Sequence, residues 1–170
     1  KSLKELYETI GEEEEENVGL VRRRSYLQGP FHYCLSITSL ITIFAFFAPH
    51  QFYFPIAGIL IMIIADTLAS LIGKNYGKLK LKLPWTGTRT VEGSATFFAS
   101  AFVLCFFAFL FFGLINPMDQ IALSYETVLI FTLITASIST LIELISPSTW
   151  DDLTVPIATT VIIYLLALFS

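Results

Sequence analysis

A chain of 170 residues that is 55% hydrophobic and only 14% charged, with a mean hydropathy of +0.72, is too apolar for an ordinary soluble domain of its size. The net charge of −4 has a local origin, because seven of the fourteen acids fall in the first sixteen residues. Cys34 and Cys105 both lie in apolar runs, so neither a disulfide framework nor a zinc site is expected, and both read as small packing residues.

The chain opens on Lys1 rather than Met, as a processed or truncated product would, and no signal peptide precedes the first apolar run. Residues 1–25 form a polar segment. It holds five consecutive glutamates at 12–16, whose mutual repulsion favours a solvated tail, and three arginines at 22–24. Residues 26–170 read as one membrane domain. Apolar runs recur at 31–48, 52–72, 91–115, 125–145 and 153–169, each near the ~20 residues that cross hydrocarbon as a helix. Pro30, Pro49, Pro117 and Pro147 stand at or just outside run ends, where a missing N–H costs no helical hydrogen bond. Backbone groups in lipid must be satisfied internally, so each run predicts a helix. The expected fold class is all-α: a polytopic transmembrane bundle of five spans.

All ten basic residues lie in 1–24 or 74–89, and none follows Arg89. Five spans put those two segments on one side, which the positive-inside rule makes cytoplasmic (or its stromal equivalent). Five of the seven acids beyond residue 16 then gather on that basic face: Asp66, Glu92, Glu143, Asp151 and Asp152. His32 and His50 sit singly near span ends and read as interfacial.

The stretch 65–94, ADTLASLIGKNYGKLKLKLPWTGTRTVEGS, is the most informative. Asp66 lies inside a span, about six residues and roughly 9 Å from its expected cytoplasmic end. A charged acid there costs a few kcal/mol (~2.5–3.5 on insertion scales), so it has a partner and a task. Asp66, Ala69, Ser70, Gly73 and Gly77 share one helical face, open to a ligand phosphate or to a packing helix. Lys74, Lys78, Lys80, Lys82 and Arg89 follow, able to neutralise a polyphosphate or to meet lipid headgroups. The Walker A pattern is missing. Glu92 and Asp152 each admit a helix-capping role, with Pro156 in the first turn after Asp152. Glu143, inside a span, is harder to assign to capping.

The pattern D-x-x-A-x-x-x-G-K-x-x-G-K, then R-T-x-E-G, then E-x(7)-D-D-L-T-V-P resembles the CTP-dependent lipid-alcohol kinases: phytol and farnesol kinases, dolichol kinase and the CTP-dependent diacylglycerol kinase. The segment Y-L-Q-G-P-F-H-Y at 26–33 resembles the phytol kinase branch. The likeness spans roughly residues 26–165, with Arg89-Thr90 where the family usually has Lys-Ser. It implies transfer of the CTP γ-phosphate to a prenyl alcohol with Mg²⁺. Asp66 and Glu92 are then the expected metal carboxylates. Gly73, Lys74, Gly77, Lys78 and Arg89 are expected around the nucleotide, and Glu143 and Asp152 near the alcohol or a second metal. The bilayer, CTP and the alcohol are the implied partners. Nucleic acid is not, and a homo-oligomer is left open. A cytidylyltransferase forming a CDP-lipid, and a transporter or assembly subunit with Asp66 and Glu143 as an ion relay, remain as alternatives.

Overall fold

The computed structural model describes residues 21–81, 89–115, 117, 121–147 and 150–168, with side chains from residue 30 onward. The glutamate run at 12–16, Lys82 and Asp119 lie outside the described residues. Five long helices appear: α1 (Val21–Phe47), α2 (Tyr53–Tyr76), α3 (Val91–Ile115), α4 (Tyr125–Ile145) and α5 (Asp151–Leu168). Each is long and apolar enough to cross a membrane, α1 through its Pro30–Phe47 portion. The five-helix transmembrane bundle is therefore observed as the apolar runs predict.

The interior is built for lipid surroundings. Facing positions carry small and hydroxyl-bearing side chains, including Ala57, Ala65, Ala69, Ala101, Ala136, Thr159 and Thr160. These let backbones approach closely. Ser139 on α4 and Thr159 on α5 share a hydrogen bond of 2.8 Å in that interior. Large apolar groups such as Phe46, Phe107, Leu133 and Leu165 point outward, where acyl chains would meet them. Cys34 and Cys105 are both free thiols.

Several details depart from the sequence reading. Pro30 lies inside α1, not at its start, because the helix continues back to Val21 beyond the apolar run. The proline then leaves the Tyr26 carbonyl without its helical donor. α5 begins at Asp151 rather than after Asp152: the Trp150 carbonyl accepts from Leu153 N at 3.0 Å and Thr154 N at 2.8 Å. Asp152 is thus a first-turn residue and not the cap, and Pro156 falls within the helix. α2 runs on to Tyr76, about a turn beyond the predicted end. It also widens into a π-helical turn at Ile61–Ala65, immediately before Asp66. α3 ends in a second π-helical stretch, Phe109–Ile115.

The connections define two ends. At one, β1 (Lys80–Leu81) and β2 (Arg89–Thr90) pair as a short antiparallel ribbon, Lys80 opposite Thr90 and Leu81 opposite Arg89. The α4–α5 turn lies at the same end. At the other, Ile121 N donates to His50 O at 3.0 Å, Tyr53 Oη to Ile121 O at 3.1 Å and Leu123 N to Gly113 O at 2.7 Å.

Candidate functional site

The ribbon end carries the charged groups, and the local sequence explains how each is positioned. In R-T-x-E-G, Thr90 is extended and caps α3, its Oγ1 accepting from Gly93 N at 3.1 Å. Glu92, in the first turn, accepts from Leu79 N through both carboxylate oxygens at 3.3 Å. Val91 N donates to Leu79 O at 3.0 Å. The basic segment is thereby pinned to the start of α3, and Arg89 is delivered to the helix ends behind it.

Arg89 occupies the centre. Its Nη1 donates to Glu143 Oε1 at 2.5 Å and its Nη2 to Asp151 Oδ2 at 3.0 Å. Side-chain exposure is 17% for Arg89, 3% for Glu143 and 13% for Asp151, so this is a largely desolvated cluster joining β2, α4 and α5. Asp66 of α2 lies within electrostatic reach of Arg89, Glu143, Asp151 and Asp152. Two carboxylates therefore clasp one guanidinium, with Asp66 near it and Asp152 near Asp66. Ser146 Oγ and Thr154 Oγ1, hydrogen-bonded at 2.5 Å, tie the end of α4 to the start of α5 beside it. Among the described residues, Arg89 Nε and Glu143 Oε2 are buried without a hydrogen-bond partner.

This geometry brings Asp66, Arg89, Glu143 and Asp152 together, as the sequence reading has them, and adds Asp151. Glu92 stands apart, against Lys78 and Leu79 rather than among the acids around Asp66. Gly73 and Gly77, read as a face that could admit phosphate, meet α3 instead. A Cβ on Gly73 would come within 2.8 Å of Thr90 Oγ1, and one on Gly77 within 2.2 Å of Gly73 O. Gly93 meets Ala69 O and Gly73 Cα from the other side, so the glycines permit the α2–α3 crossing. Lys74 and Lys78 are exposed at the site end, as is Lys80.

Sequence reasoning took His32 for a lone interfacial ring. His32 of α1 is buried, 8% exposed, and stacks on Trp150 with ring centroids 4.8 Å apart and planes at 28°. It also lies within electrostatic reach of Asp152. Its helical spacing to Ser36, Leu40 and Phe44, one inward face of α1, was the available signal.

Comparison with curated proteins adds likenesses to named kinases. A probable chloroplastic phytol kinase of Triticum aestivum is 26% identical over 147 residues, covering 85% of this chain and 46% of its own length. A probable chloroplastic phytol kinase 2 of Glycine max is 28% identical over 142 residues, 82% of this chain and 46% of its own. The dolichol kinase EVAN of Arabidopsis thaliana is 46% identical over 52 residues, 31% of this chain and 9% of its own. The homologues are phytol kinases and dolichol kinases. The likeness to lipid-alcohol kinases drawn from the motifs is borne out at that level. The lipid-alcohol kinase alignment runs along most of this chain in the phytol kinases and along a shorter stretch in the dolichol kinases. The chain spans less than half the length of the phytol kinases it matches. No family model and no solved structure matches it.

The donor set also bears on a metal. Among the described residues, no three His, Cys, Asp or Glu side chains converge to hold an ion by themselves. Mg²⁺ asks for less, since it is commonly held by one or two carboxylates plus substrate phosphates. Carboxylates in excess over the cation they share, with Asp66 and Asp151 within electrostatic reach of each other, fit such a hard, oxygen-seeking ion.

Proposed function

We propose that this chain carries the phosphoryl-transfer site of a membrane-embedded prenyl-alcohol kinase that uses CTP and acts on phytol, geranylgeraniol or farnesol. The observation that carries this reading is Arg89, clasped by Glu143 and Asp151 beside Asp66, at one end of a bundle whose homologues are lipid-alcohol kinases. Phosphoryl transfer asks for alignment and charge neutralisation more than for covalent help.

The roles follow from position. Arg89 offers a two-pronged guanidinium to phosphate, with Lys74 and Lys78 adding charge from the exposed side. The triphosphate competes with Glu143 and Asp151 for Arg89. Asp66 and Asp151 would hold Mg²⁺, which when bound offsets charge on the phosphate oxygens. Glu92 acts by holding the basic ribbon in place through Leu79 N. Glu143 and Asp152 would orient the alcohol. Its oxygen bonds to the γ-phosphorus as the bridge to the β-phosphate breaks, CDP leaves, and the hydroxyl proton passes to a carboxylate. The apolar tail stays among the helices, its hydroxyl at the cytoplasmic face that the positive-inside rule assigns.

The test uses CTP labelled at one phosphate, with phytol, geranylgeraniol and farnesol in turn. Label from the γ position should enter a chloroform-soluble monophosphate, and label from the α position should not. Lipid labelling from the α position, with pyrophosphate released, identifies a cytidylyltransferase. No labelling from either position by folded protein leaves the transporter or assembly reading.

A further inference from the structure

The backbone of Trp150 starts α5. Its N–H donates to Pro147 O at 2.8 Å, and its carbonyl accepts from Leu153 N, Thr154 N and Thr154 Oγ1 at 3.0, 2.8 and 3.0 Å. Its indole is backed on one side by the buried imidazole of His32. The residue nevertheless stays 49% exposed. The next residue, Asp151, is bonded to Arg89. An aromatic plane stacked on a buried imidazole, half-exposed and next in the chain to an acid that clasps Arg89 has the features of a base-stacking platform. Any nucleobase has a π-face, and such stacking tolerates base identity. An indole that only anchored the chain at the membrane interface would have no need of a buried imidazole behind it.

We propose that Trp150, backed by His32, is the platform on which the nucleotide's base stacks while Arg89 and the basic ribbon take its phosphates. This rests on the nucleotide-dependent reading above and names the residue that recognises the base. It implies that affinity divides in two: a phosphate part that inorganic tripolyphosphate shares, and a stacking part that only a nucleotide can use.

The experiment uses the full chain in lipid nanodiscs with Trp85→Phe, leaving Trp150 as the only tryptophan. CTP should quench its emission, and tripolyphosphate should displace CTP with recovery of the signal. In calorimetry on the otherwise native chain, Trp150→Ala should weaken CTP binding by about 5- to 150-fold, the worth of one base–aromatic stack, and leave tripolyphosphate binding unchanged. Trp150→Phe, which keeps a ring, should fall between. Equal loss of CTP and tripolyphosphate binding in Trp150→Ala would make Trp150 a structural cap and overturn the proposal. So would unchanged CTP binding in that variant. Neither outcome touches the kinase reading, which the γ-phosphate labelling of the native chain decides separately.

Discussion

Arg89 answers for more negative charge than one cation can neutralise, and its substitution separates stability from chemistry. Arg89→Ala strands Glu143, whose side chain is 3% exposed. Removing one partner of such a buried pair costs about 3–5 kcal/mol. Adding Glu143→Gln should recover much of that loss while turnover stays low, which denaturation and activity measured on the same detergent-purified proteins will check. Asp66→Asn should fold and insert normally, since it removes a charge from a span, yet lose most turnover. Normal turnover would reduce Asp66 to a packing residue. Asp66 and Glu143 were legible in the sequence because charge among apolar neighbours requires explanation, and Arg89 because it closes the basic segment. Asp151 and His32 were not, because their significance lies in partners on other helices. Asp151 looked like one of two adjacent acids, and His32 like a lone interfacial ring.

The elements show where apolar patterning stops informing. Hydropathy reports which segments lie in lipid but not which carbonyl each N–H meets. The π-helical turn at Ile61–Ala65 and the two-residue strands flanking residues 82–88 were therefore invisible to it. The glycines of α2 were visible, but whether their face met phosphate or a helix depended on Thr90 and Gly93 arriving opposite. Glu92 belongs to this scale, because it joins α3 to the ribbon. Glu92→Gln keeps an oxygen for Leu79 N and should retain most turnover. Glu92→Ala should loosen the ribbon and raise the KM for CTP more than it lowers kcat. Steady-state kinetics over a CTP series check both, and loss of turnover in the Gln variant would return Glu92 to the metal.

For the whole molecule, run lengths and the placement of ten basic residues sufficed to read the architecture, because a bilayer leaves a chain few options. That same reading predicts sidedness. In a background lacking Cys34 and Cys105, single cysteines at positions 80 and 124 should react with an impermeant reagent from opposite sides of the membrane. Labelling from the same side would dissolve the shared face on which the site is built.

The two ends of the bundle are held by unlike forces. Far from the site, loops are laced by backbone hydrogen bonds through Ile121 and Leu123, the latter 5% exposed. At the site, α4 and α5 are drawn to β2 by charges, through Arg89 with Glu143 and Asp151. The molecule thus resembles tongs, sprung at the laced end, with an ionic clasp at the jaws. Local opening is least costly where few apolar contacts must part. The amides of Ile121 and Leu123 should therefore exchange hydrogen slowly with or without nucleotide. Those of Leu79 and Val91 should exchange faster, and slow when CTP binds. On the proposed reading, a lipid alcohol entering sideways from the bilayer would pass between jaws whose grip a bound nucleotide would adjust.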